Sequence, residues 1–264
     1  DLEILNKNFN LMIDRLRNQQ EKIIINERYE AWGSLARKLA HEIKNPLTPI
    51  QLTIDRLKNK YSNELNDQDS KNLKENLKII NNQIKQIEKL VNEFSDFARM
   101  PKPIFHKNDL VLLINDNIKL LKELDSTIDI IFSKNLDNVF INSDKEQISR
   151  VFFNLIKNSI ESIHQKAENY PDLMKKISIE ILSNYDHIKI VLIDNGVGFD
   201  NFSNNLKDIL NPYFTTKKNG TGLGLSIVNK IINDHNGRIE FKSIKEGAEV
   251  QILFNLDDIR NTHS

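Results

Sequence analysis

The feature that most limits the fold is a change in the spacing of apolar residues near residue 100. Before it, apolar residues recur every three or four positions over stretches far longer than a strand, which predicts long amphipathic helices. After the segment MPKPIF, at residues 100–105, short alternating stretches typical of strands are mixed with helical ones. The chain of 264 residues is therefore predicted to fold in two parts, an all-helical part and an α+β part.

Two long helices are predicted in the first hundred residues, and a shorter coiled-coil stripe precedes them. The short stripe consists of Leu2, Leu5, Phe9, Met12 and Leu16. The second stripe covers about residues 27–61, where Pro46 and Pro49 each remove a backbone donor and predict a kink. Polar residues 62–70 predict a turn. The third stripe consists of Leu73, Leu77, Ile80, Ile84, Ile87, Val91 and Phe94.

Two long helices joined by one turn form a hairpin, and the apolar stripes of this hairpin are too wide for it to bury alone. We therefore predict a two-fold dimer in which two hairpins close a four-helix bundle. The alternative is a monomer in which the stripes pack against the rest of the chain.

The second part is predicted to mix strands and helices. Residues 128–133 and 139–141 have the pattern of strands, and residues 145–166 have that of a helix. Residues 176–182 and 187–193 alternate on either side of Asn184, Tyr185 and Asp186, which predicts a hairpin. A helix at 223–235 then precedes a second strand pair at 238–243 and 249–256.

Charge balance and cysteine count exclude several classes of protein. The 37 Lys and Arg residues equal the 37 Asp and Glu residues in number, so we do not expect a nucleic-acid-binding platform. Without cysteine there is no disulfide framework, thiol nucleophile or Cys-zinc site. Histidines, carboxylates and amides must therefore carry the chemistry.

No stretch reaches the roughly 18–20 uninterrupted apolar residues of a membrane-spanning helix, and no signal peptide is visible at the start. The sequence begins at Asp1, in the middle of an amphipathic pattern. We therefore expect a fragment of a longer protein, whose remaining part contains a membrane anchor.

Five of the eight glycines fall in two clusters. The first is DNGVGF at residues 194–199, directly after an apolar strand, and the second is GTGLGLSIV at 220–228, which leads into a helix. Glycines allow a ligand to approach the backbone, and a helix N-terminus attracts phosphate. The clusters predict a phosphate-containing ligand, whereas the second cluster taken alone is equally consistent with a flexible loop.

Asn154 and Asn158 lie one turn apart on the helix that precedes the predicted hairpin. Mg²⁺ keeps several waters and takes ligands from substrate phosphates, so one Asn carbonyl oxygen is a sufficient protein ligand. The alternative is two surface asparagines in an Asn-rich chain.

The segments NLIKNSIES, DNGVGF, NPYFTTKK and GTGLGLSIV occur in this order, and LARKLAHEIKNPLTPI precedes them all. Together they resemble the ATPase boxes and the phosphoacceptor box of sensor histidine kinases, whose ATPase fold is shared with gyrase and Hsp90. Finer features, notably EAWGSLARKLAHEIKNPLTPIQL, resemble the nitrogen-regulation sensor kinases of the NtrY type. The implied fold is a dimeric four-helix bundle followed by an α+β GHKL (Bergerat) sandwich.

The resemblance implies five segments and a place in the cell. The segments are a HAMP-like signalling helix at 1–26, a dimerisation and phosphotransfer domain at 27–100, a linker at 101–104, a catalytic ATP-binding domain at 105–258 and a tail at 259–264. It also implies a cytoplasmic fragment of an inner-membrane sensor protein.

The implied activity is ATP-dependent phosphorylation of His41, followed by transfer to an aspartate of a response regulator. Glu42 is the expected acceptor or base beside the imidazole, with a surface ion pair to Lys38 as the alternative. Glu42 and Asn45 also match the ExxN phosphatase pattern of the family, with polar packing near the kink as the alternative for Asn45. One rival function is a GHKL ATPase that uses water as acceptor. That class has a separate catalytic glutamate on the helix that carries Asn154, and Glu161 lies one turn too late in the helix to match it. The other rival is a nucleotide-binding signalling adaptor.

The nucleotide-binding residues are also carried over from the resemblance. Asn158 is the expected Mg²⁺ ligand, with Asn154 as a weaker partner, and Asp194 is the expected acceptor of the adenine amino group. The glycine boxes contribute Gly196, Gly198, Gly220, Thr221, Gly222, Leu223 and Gly224. Residues 200–219 are expected to form a mobile lid, in which Phe214 is an anchor and Lys217 meets phosphate. The sequence departs from many relatives at 247–249, where Gly-Ala-Glu replaces a hydroxyl residue beside the adenine pocket.

Overall fold

The computed structural model describes residues 9, 12, 13, 16, 20, 38–61, 67–98, 100–199, 209–212, 214, 215, 217 and 220–255. Internal contacts divide the chain into two units, Asp1–Pro101 and Lys102–Ser264. Most of the predicted signalling helix, the first part of the predicted lid at 200–208 and the predicted tail lie outside the described residues. Within the part that is described, no helix is long and apolar enough to cross a membrane.

The first unit contains two helices, α1 over residues 38–61 and α2 at Asp67–Ala98. Because α2 begins at Asp67, the predicted turn over 62–70 is wrong in its last four residues. The helical conformation of α1 continues through Pro46 and Pro49, although each proline lacks an N–H group. The hydroxyl of Thr53 donates to the carbonyl of Pro49 at 2.8 Å. The predicted kink stays a prediction.

The two helices of the first unit pack through apolar residues spaced about seven apart. Leu47 and Ile54 of α1 form one buried cluster with Leu77 and Ile84 of α2, as the predicted hairpin requires. A second stripe beside this seam is 38–45% exposed and consists of Ile43, Ile50 and Leu57 on α1 and Ile80 and Ile87 on α2. An apolar stripe of this size on a helical hairpin is typical of an interface.

The second unit is built on a five-stranded sheet with the order β2-β4-β5-β7-β6, beside a separate antiparallel pair of β1 and β3. Strand β2 runs parallel to β4, and the other neighbours in the large sheet are antiparallel. The elements are β1 (His106–Asp109), α3 (Leu110–Leu124), β2 (Asp129–Lys134), β3 (Phe140–Ser143), α4 (Lys145–Asn169), β4 (Lys176–Ser183), β5 (His187–Asp194), α5 (Gly224–Asp234), β6 (Gly237–Ile244) and β7 (Gly247–Asn255).

One face of the large sheet is buried. Along β5 the alternation of a strand buries every second residue, Ile188, Ile190, Leu192 and finally Asp194. Helix α4 packs against α3 and α5 and contacts β4. A helical unit followed by an α/β unit with a mixed sheet confirms the predicted fold class.

Strand and helix positions in the second unit agree with the sequence pattern to within three residues, except for β1 and α3, which the pattern did not predict. Helix α3 begins after Asp109, whose side chain accepts a hydrogen bond from the N–H of Val111 at 3.0 Å. Its first residues, LVLLI, are a short apolar run, and such a run is compatible with either a strand or a buried helix.

Candidate active site

A buried carboxylate lies at the end of β5. Asp194 is only 4% exposed. Its Oδ2 accepts a hydrogen bond from the hydroxyl of Ser159 at 2.8 Å, and its Oδ1 accepts one from the N–H of Gly196 at 2.9 Å. Burial raises the pKa of Asp194, while hydrogen bonds from Ser159, Gly196 and the backbone of Ala248 act to lower it. This carboxylate is therefore fixed in position by donors from three separate segments.

The glycine loop after Asp194 is in close contact with its surroundings. Gly198 has a φ of 71°, and a Cβ added there would lie 2.6 Å from the carbonyl oxygen of Gly247. Gly247 itself has a φ of 115° and lies against the backbone of Asp194. At Gly196, an added Cβ would collide with Ser162, whose hydroxyl accepts from the N–H of Val197 at 3.1 Å. These glycines are needed because no side chain fits between the loop, α4 and the β6–β7 turn.

The turn at 247–249 has a direct structural role in this chain. The backbone of Ala248 pairs with Asp194 across the sheet and supplies one of the three donors to its carboxylate. A side-chain hydroxyl is absent at Gly247 and Ala248. The hydroxyl that contacts Asp194 comes instead from Ser159 on α4, a contact that the sequence pattern did not reveal.

Helix α4 presents an amide pair to the start of α5. Asn154 and Asn158 lie one turn apart, and both are close to Gly224. A Cβ on Gly224 would lie 3.8 Å from Nδ2 of Asn158 and 4.0 Å from Oδ1 of Asn154. The two predicted ligands and the second glycine box are therefore brought together, as their shared helical face required.

Lys217 lies against the same face of α4. Its Nζ donates to Oδ1 of Asn158 at 3.3 Å and to Oε2 of Glu161 at 2.5 Å. A second lysine, Lys157, is 4.0 Å from Glu161. The amide oxygen of Asn158 therefore faces a cationic group in this arrangement, and amide oxygens are also among the ligands that Mg²⁺ takes. The sequence pattern did not predict the contact with Glu161.

The N-terminus of α5 has no side-chain cap. Its N-cap residue is Leu223, which makes no capping hydrogen bond. The hydroxyl of Thr221 accepts from the N–H of Leu223 at 3.4 Å, and Gly222 has a φ of 67°. The N–H of Gly220 donates to the carbonyl of Lys217 at 3.1 Å. This loop brings Lys217 to the helix end, where the helix dipole favours negative charge.

The predicted lid is described only in part. Phe214 is 39% exposed, and its N–H donates to the carbonyl of Asn211 at 3.3 Å. Among the described residues of this segment, Ile209 is buried, at 3% exposed. Burial therefore favours Ile209 over Phe214 as the anchor among the described lid residues.

The predicted phosphoacceptor lies in the first unit. His41, Glu42 and Asn45 are exposed residues of α1, and His41 and Asn45 are one turn apart. Because Pro46 has no N–H, the carbonyl of Glu42 lacks its usual helical donor. Lys38 and Glu42 both lie in the described part of α1 and form no ion pair with each other. The surface ion pair considered for Glu42 is therefore not supported.

Within the part of the chain that the structure describes, side chains alone form no metal site. Among the described residues, no three His, Asp or Glu side chains are grouped so that they could hold a metal ion. The donor set that is present, one or two amide oxygens beside a helix N-terminus, fits a hydrated Mg²⁺ that completes its coordination with ligand phosphates.

Two protein-family models match the chain. The His Kinase A (phospho-acceptor) domain matches residues 31–103. The Histidine kinase-, DNA gyrase B-, and HSP90-like ATPase matches residues 143–258. The first match contains His41, and the second contains Asn158, Asp194 and both glycine boxes.

Curated relatives are similar over most of the chain. A putative sensor histidine kinase, NtrY-like, of Rickettsia prowazekii is 36% identical over 95% of this chain and 40% of its own length. The nitrogen regulation protein NtrY of Azorhizobium caulinodans is 36% identical over 89% of this chain and 30% of its own length. The chain therefore spans less than half the length of these relatives.

Solved structures agree with the fold. The histidine kinase ThkA in complex with the response regulator protein TrrA has a TM-score of 0.59 and 26% identity, covering 91% of this chain and 66% of that one. Full-length ShkA in complex with AMPPNP has a TM-score of 0.61 at 16% identity, covering 83% of this chain and 45% of that one, and it supports the fold alone. With a phosphoacceptor domain, a histidine kinase-type ATPase domain and NtrY-like relatives along most of its length, the chain belongs to the sensor histidine kinases.

Proposed function

We propose that this chain transfers the γ-phosphoryl group of ATP to His41 and then to an aspartate of a response regulator protein. The observation that carries the proposal is the buried Asp194, held by three donors beside two glycine boxes, in a chain that also presents His41 on a helix. The experiment is incubation with ATP labelled in its γ-phosphate. Label on the protein supports the kinase, release as free phosphate alone indicates a water-using ATPase, and binding without turnover indicates an adaptor.

Asp194 is proposed to recognise adenine. Its two oxygens are already oriented by Ser159 and Gly196, so a remaining lone pair accepts the adenine amino group without reorganisation. Gly196 and Gly198 let the loop after Asp194 pack directly against Ser162 of α4 and the backbone of Gly247. The base then lies against the backbone between β5 and α4.

The phosphates are proposed to lie at the start of α5. Asn158 would hold Mg²⁺ through its amide oxygen, with Asn154 beside it on a phosphate or a water. When bound, Mg²⁺ neutralises the negative charge of the phosphates. The backbone of residues 220–224 and Lys217 donate to the phosphate oxygens. With ATP bound, the Nζ of Lys217 would donate to a phosphate oxygen instead of the amide oxygen of Asn158.

His41 is proposed as the nucleophile. One nitrogen of a neutral imidazole carries the lone pair that attacks phosphorus, and the other carries a proton that an acceptor can take. Glu42, the exposed carboxylate that follows His41 on α1, is the proposed acceptor of that proton. Phosphoryl transfer depends mainly on alignment and charge neutralisation, so the remaining residues act by positioning.

Replacement of Glu42 by glutamine should lower the rate of autophosphorylation about 10²-fold, because an amide cannot take the imidazole proton. Nucleotide affinity should stay within about two-fold, since Glu42 lies outside the ATPase domain. Single-turnover assays with labelled ATP measure the rate. Glu75→Gln, an exposed glutamate of α2, is the matched control, and an unchanged rate for Glu42→Gln would remove the base from the proposal.

The working form is proposed to be a homodimer. The His Kinase A match implies dimerisation, and the exposed stripe of Ile43, Ile50, Leu57, Ile80 and Ile87 supplies an apolar surface on the hairpin. A second copy that covers this stripe with its own equivalent would complete a four-helix bundle with two-fold symmetry.

Ile50→Glu should shift the chain from dimer to monomer, with the dissociation constant raised about 10²-fold or more, because each interface would bury an unpaired carboxylate. Light scattering across a concentration series measures the mass. Asn59→Glu adds the same charge to an exposed position of α1 away from the stripe and should stay dimeric. A wild-type monomer, or an Ile50→Glu dimer as tight as wild type, contradicts this proposal.

Glu42 and Asn45 match the pattern of kinases that remove phosphate from their regulator, so a phosphatase activity is proposed for the same helix face. The complex between ThkA and TrrA supports a response regulator as the partner.

We also propose the domain limits 27–100 and 105–258, and a cytoplasmic location with membrane attachment through a region outside this chain.

A further inference from the structure

Among the described residues, Ser159 provides the side-chain hydrogen-bond donor to the carboxylate of Asp194. Ser159 is 4% exposed, and its Oγ lies 2.8 Å from Oδ2 of Asp194. The other donors are the backbone N–H groups of Gly196 and Ala248. Because a substitution leaves backbone donors in place, Ser159 is the donor to this carboxylate that mutation can remove.

Ser159 also joins the two ends of the proposed nucleotide site. It follows Asn158 directly on α4, whose amide oxygen is the proposed metal ligand, and its own hydroxyl reaches Asp194 at the end of β5. A regular helix fixes the spacing between these neighbours. The carboxylate at the base end is thus tied to the same helical turn as the amide at the phosphate end.

We propose that Ser159 is a positioning residue that orients the Asp194 carboxylate toward the base and thereby sets both the affinity and the adenine selectivity of the site. This inference rests on the proposed ATP function. An oriented carboxylate offers a lone pair to an exocyclic amino group. Guanine has a carbonyl oxygen in that place, and its partial negative charge would be repelled by the carboxylate lone pair. The orientation of Asp194 therefore decides between adenine and guanine.

The surroundings of Asp194 make it sensitive to the loss of one donor. Its neighbours across the sheet are Ile177 on β4 and Ala248 on β7, neither of which carries a charge. The charged group that acts on it is Lys166 of α4. Burial raises the pKa of Asp194 and the hydrogen bond from Ser159 opposes that rise, so removal of the hydroxyl should raise the pKa further. The ionised fraction then begins to fall at a higher pH than in wild type.

The test compares Ser159→Ala with wild type in the full chain. Binding of ATP and of GTP is measured by calorimetry from pH 5.5 to pH 8, with thermal unfolding as a check of folding. At neutral pH, Ser159→Ala should bind ATP about ten-fold more weakly, corresponding to one lost hydrogen bond to a charged group. The preference for ATP over GTP should fall, and the loss relative to wild type should grow as the pH is lowered.

Two further variants make the result specific. Ser149→Ala removes a hydroxyl from the same helix, where Ser149 accepts a hydrogen bond from Asn117 at 3.1 Å, and it should bind like wild type. Ser159→Cys keeps the volume with a weaker donor and should fall between alanine and serine, and it allows the comparison even if the alanine variant unfolds. An affinity of both Ser159 variants equal to wild type, or a loss that is the same at every pH and for both bases, overturns the inference. A wild-type chain that binds no ATP overturns the proposed function instead.

Discussion

Replacement of His41 by glutamine is expected to abolish the transfer of label from ATP to the protein, a loss of about 10³-fold or more. Glutamine keeps polarity and similar size, but its amide nitrogen has no lone pair free for attack on phosphorus. His41 lies in the first unit, whereas the residues proposed to bind ATP lie in the second. Nucleotide affinity should therefore change by less than about two-fold, and calorimetry on the same preparation measures it.

A histidine elsewhere in the chain provides the matched control for this experiment. His106 is an exposed histidine of β1 in the second unit, so His106→Gln makes the same chemical change away from the proposed acceptor. It should label like wild type. Retention of label by His41→Gln at the wild-type rate is incompatible with the acceptor assignment.

The second large effect is expected at Asp194, the carboxylate proposed to bind adenine. Asp194→Asn should weaken ATP binding by about 10²-fold. The carboxylate receives hydrogen bonds from Ser159, Gly196 and Ala248, so an amide nitrogen in its place would face a donor and leave a buried polar group unpaired. The same amide would also present a donor to the adenine amino group. Calorimetric titration with ATP measures the affinity, and circular dichroism checks the fold.

Asp186→Asn makes the same change in the exposed turn between β4 and β5. It should leave ATP affinity unchanged, which separates an effect of the pocket from a general effect of lost charge. Undiminished binding by Asp194→Asn would refute the assignment of Asp194 to adenine. Because autophosphorylation requires bound ATP, this variant should also fail to label His41.

Local periodicity was enough to predict the elements that hold most of the site. Alternation predicted the strand at 187–193, and the structure extends it by one residue to Asp194, which lies on the same buried side as Ile190 and Leu192. The helical spacing of Asn154 and Asn158 placed both amides on one face of α4, where they meet Gly224. In each case the spacing of residues within one element decides the outcome.

Contacts between distant segments could not be predicted in this way. Ser159 and Asp194 are 35 residues apart, and their contact depends on how α4 packs against the sheet. The contact between Lys217 and Glu161 spans 56 residues and likewise depends on the loop before α5. Helix α3 was not predicted because its opening apolar run has no clear period, and its buried face is defined by packing against α4 and strands β1 and β2.

Locating the phosphoryl group in the wild-type chain is the decisive experiment for His41 as the phosphoacceptor. The protein is incubated with Mg²⁺ and γ-labelled ATP, kept at alkaline pH because phosphohistidine is lost in acid, digested and mapped by mass spectrometry. We expect one phosphorylated imidazole, at His41, with label that mild acid removes. Label on a different residue, or release of all label as free phosphate with none on the protein, would contradict it.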